Sequence, residues 1–305
     1  MAHRQGIVGM IRAAFSDFSQ DDCATQAAAL SYYTVFSLPP LLVLIIVLAS
    51  FIFDPADVQH AIQGQMQGLI GPAGGEAIQS ILAHAQRPTG RSLATVLGIV
   101  ALLLGAGGAF LQLQSALNRA WEVKPDPRQG GIRNFLVKRL VSLGMVLALG
   151  FLLLVSLAIG AALSALGDAV SRFVPGLSDA LLLVINHAVS LAVSTALFAA
   201  IFRYLPDAKV RFQDVRVGAL VTGILFEAGK FGIGFYLGRS NPGEAFGAAG
   251  SLALVLVWIY YSSMLILFGA EFTQVWATER GRGIRPEAGA VHVVEVTREV
   301  PSGRS

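Results

Sequence analysis

The chain has 305 residues, of which 54% are hydrophobic and 13% are charged, and its net charge is +3. This balance excludes an ordinary soluble domain, because such domains carry about 25% charged residues. The small net charge gives no reason to expect a nucleic-acid partner, since topology and attraction to anionic lipid headgroups account for the basic residues.

Six apolar segments are long enough to cross a bilayer, which takes roughly 20 helical residues. They run near Ala27 to Phe53, Ser92 to Leu113, Leu140 to Leu166, Asp179 to Tyr204, Val215 to Gly238 and Ala249 to Thr278. The sequence therefore predicts an all-α, polytopic membrane protein with a six-span bundle over 23–278, in place of the two soluble domains that length alone suggests.

The basic residues predict the orientation of the bundle, because cytoplasmic connections retain Lys and Arg. The N-terminus, the second and fourth connections and the tail together hold 17 basic residues. The first, third and fifth connections hold only Arg87, Arg91, Arg172 and Arg239. Both termini are therefore predicted to be cytoplasmic.

Three segments lie outside the spans. Residues 1–22 carry hydrophobic side chains at helical spacing, which predicts an amphipathic helix along the inner interface. The first outer connection, 54–91, reads as two short amphipathic helices that cap the outer face. The tail, 279–305, mixes charges, Gly and Pro and is predicted to be flexible and cytoplasmic. The lone Cys23 excludes an intrachain disulfide and is interpreted as a buried or idle thiol.

The first span contains Pro39 and Pro40 near its middle, and each proline removes one backbone donor from the helix. Gln26, Tyr33 and Ser37 fall seven and four residues apart, so their polar groups should share a face that points into the bundle. One interpretation is a proline-broken helix that lines a substrate cavity; the other is a packed proline kink.

The fifth span holds the most informative residues, an acid and a base in the middle of an apolar helix. Glu227 and Lys230 are spaced i, i+3 and can pair directly. Small residues continue the same stripe on both sides and allow a neighbouring helix to approach closely: Ala219, Gly223, Gly234 and Gly238. The pair either fixes helix register or forms a site, with Lys230 binding an anionic headgroup and Glu227 coupling to protons.

Other spans carry isolated polar residues. In the fourth span, His187 lies near Ser190 and Ser194, at about the depth of Lys230 from the outer surface. It either shares a cavity with Lys230 or bonds between helices, the more usual role. In the sixth span, Tyr260 and Glu271 lie on one stripe, and an Arg of the second or fourth connection is the expected partner of Glu271.

Signatures of soluble enzymes fail on inspection. The segment GILFEAGKF, 223–231, imitates a phosphate loop but has the wrong spacing and lacks the Ser or Thr. The five histidines have no metal-ligand spacing. The sequence therefore predicts neither an enzyme nor a bound cofactor or metal.

Several motifs together resemble a known family. They are AAALSYYTVFSLPPLL in the first span, NRAW at 118–121, YLPDAKVRFQDVRVGAL entering the fifth span, and FGA, WIY and LFGAE in and before the sixth. With them, residues 13–278 resemble the YihY/BrkB family of bacterial inner-membrane proteins. The resemblance implies a role in envelope integrity and serum resistance, with no settled biochemical activity. The family was once labelled as a ribonuclease. This chain shows no nuclease chemistry, which agrees with rejecting that label.

The leading hypothesis is a multi-pass inner-membrane transporter or flippase that binds a lipid or other amphiphile. Lys230 would attract an anionic group, and Glu227 would balance the charge or take up a proton. Tyr33 and Ser37 would orient the ligand. The alternative is a non-transporting envelope scaffold or assembly factor. The expected partners are membrane lipids and envelope proteins, without nucleic acid, and the sequence does not define the oligomeric state.

Overall fold

The computed structural model describes residues 6–51, 53–70, 72–85, 108–126, 128, 178–239 and 250–293. Helices account for most of these residues, so the predicted helical class is confirmed. The helices are α1 Ile7–Gln20, α2 Cys23–Ala49, α3 Pro55–Ile70, α4 Pro72–Ala85, α5 over 108–120, α6 Ser178–Tyr204, α7 Phe212–Arg239 and α8 Gly250–Glu279.

Four of these helices coincide with predicted spans. Helices α2, α6, α7 and α8 contain 27, 27, 28 and 30 residues. At 1.5 Å per residue each is about 40 Å long, enough to cross the roughly 30 Å hydrocarbon core. By length and hydropathy, two segments of the described residues qualify as candidate spans, His187–Tyr204 and Leu252–Glu279. The third predicted span and most of the second lie outside the described residues, so the six-span count and the orientation stay predictions.

The first span is not broken at its prolines. Helix α2 is continuous from Cys23 to Ala49 and includes both Pro39 and Pro40. Two missing N–H donors lower the number of backbone hydrogen bonds but leave the helical path intact, because neighbouring turns keep theirs. The predicted interruption is therefore wrong.

The two helices predicted within the first outer connection are present as α3 and α4, and they pack on each other and on α2. Val58 of α3 and Ile78 and Leu82 of α4 form a small buried cluster with Leu42 and Ile46 of α2. This agrees with the predicted pair of amphipathic helices, while the side of the membrane on which they lie stays a prediction.

Helix α8 lies at the centre of the described bundle. It packs against α1, α2 and α7. The largest core cluster joins it, through Leu267 and Ala270, to Trp121, Phe202 and Val215 from three other parts of the chain. The α1 helix covers another side of α8, where Phe15 and Phe268 have ring centroids 4.7 Å apart.

Helices α7 and α8 are joined by a reciprocal contact between glycines and threonines. Gly218 and Thr222 of α7 face Gly269 and Thr273 of α8, and a Cβ atom placed on either glycine would overlap the opposite threonine hydroxyl. Each threonine donates to the carbonyl of the glycine four residues before it, at 2.8 Å for Thr222 and 2.6 Å for Thr273. Small residues at both positions therefore let the two backbones approach closely.

Two short antiparallel ribbons, which the sequence did not predict, accompany the helices. Strand β1 (Val123–Pro125) pairs with β4 (Ala290–His292), and β2 (Ala208–Lys209) pairs with β3 (Arg285–Pro286). The first part of the tail is thus paired with the second and fourth predicted connections, in contrast to the flexible tail expected from 279 onward. Strands of two or three residues leave no periodicity in the sequence, and their partners are far apart along the chain.

An ion pair also holds the tail to the bundle. Arg282 follows the end of α8, and its Nη2 lies 2.6 Å from Oδ1 of Asp214, which is buried in the first turn of α7. The α8 helix ends at Glu279, and the positive φ of 68° at Gly281 lets the chain turn back toward Ala277. The turn brings Arg282 to the N-terminus of α7, where a carboxylate also offsets the helix dipole.

Candidate functional site

Glu227 and Lys230 form the ion pair that their spacing predicts. Glu227 Oε2 and Lys230 Nζ are 2.7 Å apart, one turn from each other on α7. The side chains are 13% and 20% exposed respectively. The pair is thus mostly shielded but still reachable, and it lies in the middle of a 28-residue helix.

The adjacent helix α6 supplies two hydroxyl groups to this pair. Ser190 Oγ donates to Glu227 Oε1 at 2.9 Å and accepts from Lys230 Nζ at 2.9 Å. Ser194 Oγ lies 3.4 Å from the same carboxylate oxygen. One carboxylate, one ammonium and two hydroxyls therefore form a polar cluster, called the α6–α7 site below, which contains Ser190, Ser194, Glu227 and Lys230.

The small-residue stripe of α7 explains why α6 comes so close. Ala219 is fully buried, and a Cβ atom placed on Gly223 would lie 2.7 Å from Thr195 Oγ1 and 3.4 Å from Leu191 Cδ1. Thr195 Oγ1 is buried and has no hydrogen-bond partner among the described residues. A third hydroxyl thus lies one turn from Glu227, beside the glycine that admits it.

Aromatic rings close one side of the α6–α7 site. Lys230 Nζ lies 5.8 Å from the ring centroid of Phe226, within cation–π range. Phe226 in turn packs against Phe198 of α6 and Trp258 of α8, both at 5.6 Å between centroids. Trp258 also shares a buried cluster with Val35 of α2. The aromatic layer therefore separates the ion pair from the first span.

His187 lies three residues before Ser190 on α6. Its ring is exposed and packs 5.2 Å from the ring of Phe231, the residue after Lys230. It therefore flanks the α6–α7 site on the same interface, through an aromatic contact.

The sequence predicted that Tyr33 and Ser37 of the first span belong to this site, but neither makes a hydrogen bond to the ion pair among the described residues. Tyr33 is 44% exposed and packs against Tyr32, with ring centroids 5.7 Å apart. Ser37 is buried, but its hydroxyl donates to the Thr34 carbonyl of its own helix at 2.9 Å. The Tyr33 ring also lies beside α5, where a Cβ atom placed on Gly108 would be 3.3 Å from its Cδ1. A cavity shared by Tyr33 and Ser37 stays a prediction. Pro39 is half-buried, and the side chain of Pro40 lies outside the described residues.

The sixth-span residues are buried in a different place. Tyr260 is half-buried against the main core, and Glu271 is fully buried. Thr222 meets Gly269 while Gly229 meets Tyr261, which places Glu271 about two turns, or roughly 11 Å, from Glu227 along the helix axis. Glu271 therefore belongs to a second polar cluster.

The contacts of Glu271 differ from the arginine partner predicted for it. Its carboxylate accepts from the Cys23 thiol at 3.4 Å. With the Gln274 amide in the orientation that satisfies both its oxygen and its nitrogen, that nitrogen also donates to Glu271 at 3.2 Å. Arg119 of the second connection is 3.8 Å from Asp21. Burial raises the pKa of the Cys23 thiol, and the neighbouring Glu271 carboxyl raises it further. Cys23 is thus a buried thiol, as one of the two sequence interpretations had it.

Sequence reasoning did not identify the docking of the second connection. The Trp121 ring is fully buried, and its Nε1 donates to the Ala270 carbonyl at 3.1 Å. Asn118 and Asp207 bind each other twice, at 2.9 and 2.8 Å. The NRAW motif was the only signal for this contact, and it did not reveal the partners. Within the described ranges, no group of three or more His, Cys, Asp or Glu could hold a metal ion.

Comparison with known proteins identifies the family to which the chain belongs. The family model described as virulence factor BrkB matches residues 14–291, so the chain belongs to that family. It is 30% identical to a UPF0761 membrane protein of Alkalilimnicola ehrlichii over 86% of this chain and 56% of that protein. For the UPF0761 membrane protein of Pseudomonas aeruginosa the identity is 30%, over 83% and 59% respectively.

A third relative is covered more completely. The UPF0761 membrane protein of Vibrio vulnificus is 27% identical, over 88% of this chain and 82% of its own length. The chain spans a little over half the length of the first two relatives. No solved structure matches.

Proposed function

We propose that this integral membrane protein of the BrkB family binds and moves a lipid or other amphiphile in the bacterial inner membrane, in support of the envelope. The observation that carries the proposal is the ion pair of Glu227 and Lys230 inside α7, bonded to two serines of α6. Charged groups at mid-helix are costly in lipid and are retained where they bind or conduct something.

Each member of the α6–α7 site has a role in this proposal. Lys230 attracts the anionic group of the ligand, and Glu227 balances the ammonium or accepts a proton when the ligand displaces it. Ser190 and Ser194 take the orienting role that the sequence assigned to Tyr33 and Ser37, because their hydroxyls touch the ion pair. The protein is proposed to be non-catalytic, so uphill movement would depend on an ion gradient or a partner.

The test is lipid movement in proteoliposomes that contain the purified full chain. A fluorescent phospholipid reports transfer between leaflets through its protection from a membrane-impermeant quencher. Lys230→Met and Glu227→Gln should each slow the transfer at least about tenfold relative to the unaltered protein. Arg216→Gln, which removes an exposed cation from the same helix, is the matched control and should leave the rate unchanged. If both site variants insert normally and transfer lipid at the unaltered rate, the assignment is wrong.

A non-transporting scaffold or assembly factor is the second candidate. The reciprocal Gly–Thr contact of α7 and α8 favours it, because such close packing suits a helix pair that keeps one arrangement. The scaffold predicts that the unaltered protein gives no lipid transfer above empty liposomes. It also predicts that crosslinking through α3, α4 or the tail recovers envelope proteins.

A further inference from the structure

A cavity of about 340 Å³ lies at the end of the bundle where the second connection docks. Its walls come from the start of α2, the end of α5, strand β1 and the link between α6 and β2. The volume is at the lower end of the range for small-ligand sites. It suits a headgroup or a small metabolite more than a whole lipid.

Hydrogen bonds fix the walls of this cavity. Asn118 and Asp207, 89 residues apart, bind each other through side chain and backbone at 2.9 and 2.8 Å. Gln112 of α5 donates to Gln26 of α2 at 3.0 Å. The link after α6 and the first turn of α2 are thus both tied to α5, so the cavity is a built feature of the fold.

The lining combines apolar surface with two cations and one carboxylate. Arg119 and Lys124 are the cations, and Asp207 is the carboxylate. One oxygen of Asp207 accepts from Asn118, so part of its charge is directed into the wall. A guanidinium has five N–H donors, which allows Arg119 to pair with Asp21 and still share donors with a ligand. Ser115 and Gln114 add neutral donors.

We propose that this cavity binds a phosphate ester, with Arg119 and Lys124 on the phosphate oxygens. Arginine and lysine at one opening are the usual protein partners of phosphate. Leu111, also in the lining, is 42% exposed and gives the opening an apolar edge along α5. A lipid headgroup could enter past that edge, and a soluble phosphate ester would use the same donors. This site is separate from the α6–α7 site and does not depend on its proposed role.

The test measures binding by thermal unfolding of the purified full chain in maltoside micelles. Glycerol 3-phosphate is titrated against sodium chloride of equal ionic strength. Dihexanoyl phosphatidylglycerol is titrated against dihexanoylglycerol, which lacks the phosphate. A ligand that binds the folded state raises the unfolding midpoint in a saturable way. A rise with both phosphate probes identifies a site that soluble esters can fill, and a rise with the phospholipid alone identifies a lipid headgroup site.

Variants decide whether the cavity is responsible. Lys124→Gln should weaken the binding at least about tenfold, the loss expected for one charge-assisted hydrogen bond. Because Arg119 also pairs with Asp21, Arg119→Lys keeps that charge and should weaken binding without unfolding the protein. Arg211→Gln, which removes an exposed cation of the fourth connection, should bind like the unaltered chain. The proposal is overturned if neither phosphate probe exceeds its control, or if Lys124→Gln and Arg119→Lys respond like the unaltered chain.

Discussion

Replacing Gly218 by alanine should separate α7 from α8. The added Cβ would overlap the Thr273 hydroxyl and would lie 3.0 Å from Thr273 Cβ and 3.1 Å from the Gly269 carbonyl oxygen. Two of these three atoms belong to the β-branched carbon and the backbone of α8, which do not rotate away. The helices must therefore move apart to accommodate a single methyl group.

The expected magnitude follows from two opposing terms. Overpacking of this kind costs about 1–3 kcal/mol. Alanine recovers up to about 1 kcal/mol of helix propensity relative to glycine. We expect a net destabilisation of about 1–2 kcal/mol for Gly218→Ala. Gly232→Ala is the matched control on the same helix, because a Cβ there meets nothing within 4 Å, and it should be neutral or stabilising by up to about 1 kcal/mol.

The assay is unfolding of the purified protein in mixed micelles as the fraction of denaturing detergent rises. A second change, Thr273→Ala, removes the overlapping hydroxyl, so the double variant should recover part of the loss and show a coupling of about 1 kcal/mol. If Gly218→Ala is as stable as Gly232→Ala, or if Thr273→Ala gives no recovery, the reciprocal contact does not hold the helices together.

Three further experiments test other contacts. Neutralising either Glu227 or Lys230 should destabilise the protein by about 3 kcal/mol, since the remaining charge is largely shielded and unpaired. Exchanging the two residues should restore most of the lost stability in the same micelle assay. Arg282→Ala should expose the tail to protease and lower stability by about 3 kcal/mol, because Asp214 is buried and loses its ion-pair partner; a tail as protected as in Arg282→Lys would contradict this. Cys23 should react with maleimide at pH 7.5 only after unfolding, since burial shields the side chain and raises its pKa, which keeps it a protonated thiol. Rapid labelling of the folded protein would contradict this.

The helices and the ion pair were predictable because both are local. An apolar run of 27 residues predicts one long helix, and an i, i+3 spacing places Glu227 beside Lys230 whatever surrounds them. The partners from α6 were not predictable in the same way. Ser190 and Ser194 formed a visible polar face, but the sequence does not state which neighbouring helix that face meets or in which register.

The errors have the same origin. Tyr33 shares a helical face with Gln26 in sequence, yet the way α2 packs leaves it 44% exposed. The ribbons join residues more than 75 positions apart, Lys209 to Arg285 in one case. Neither relation has a local signal, since tertiary packing alone determines it. The NRAW motif marked a segment with a role, but only the structure placed Trp121 in the core.

The two faces of α7 differ in a way that bears on both proposed functions. Toward α8 it presents Gly218 and Thr222, which interlock with Gly269 and Thr273. Toward α6 it presents the ion pair, bonded to serine hydroxyls that a ligand's oxygens could replace one for one. If the protein moves a lipid, the movement should therefore occur between α6 and α7, while α7 and α8 stay together. A scaffold would keep both interfaces closed, so the behaviour of the α6 interface distinguishes the two functions.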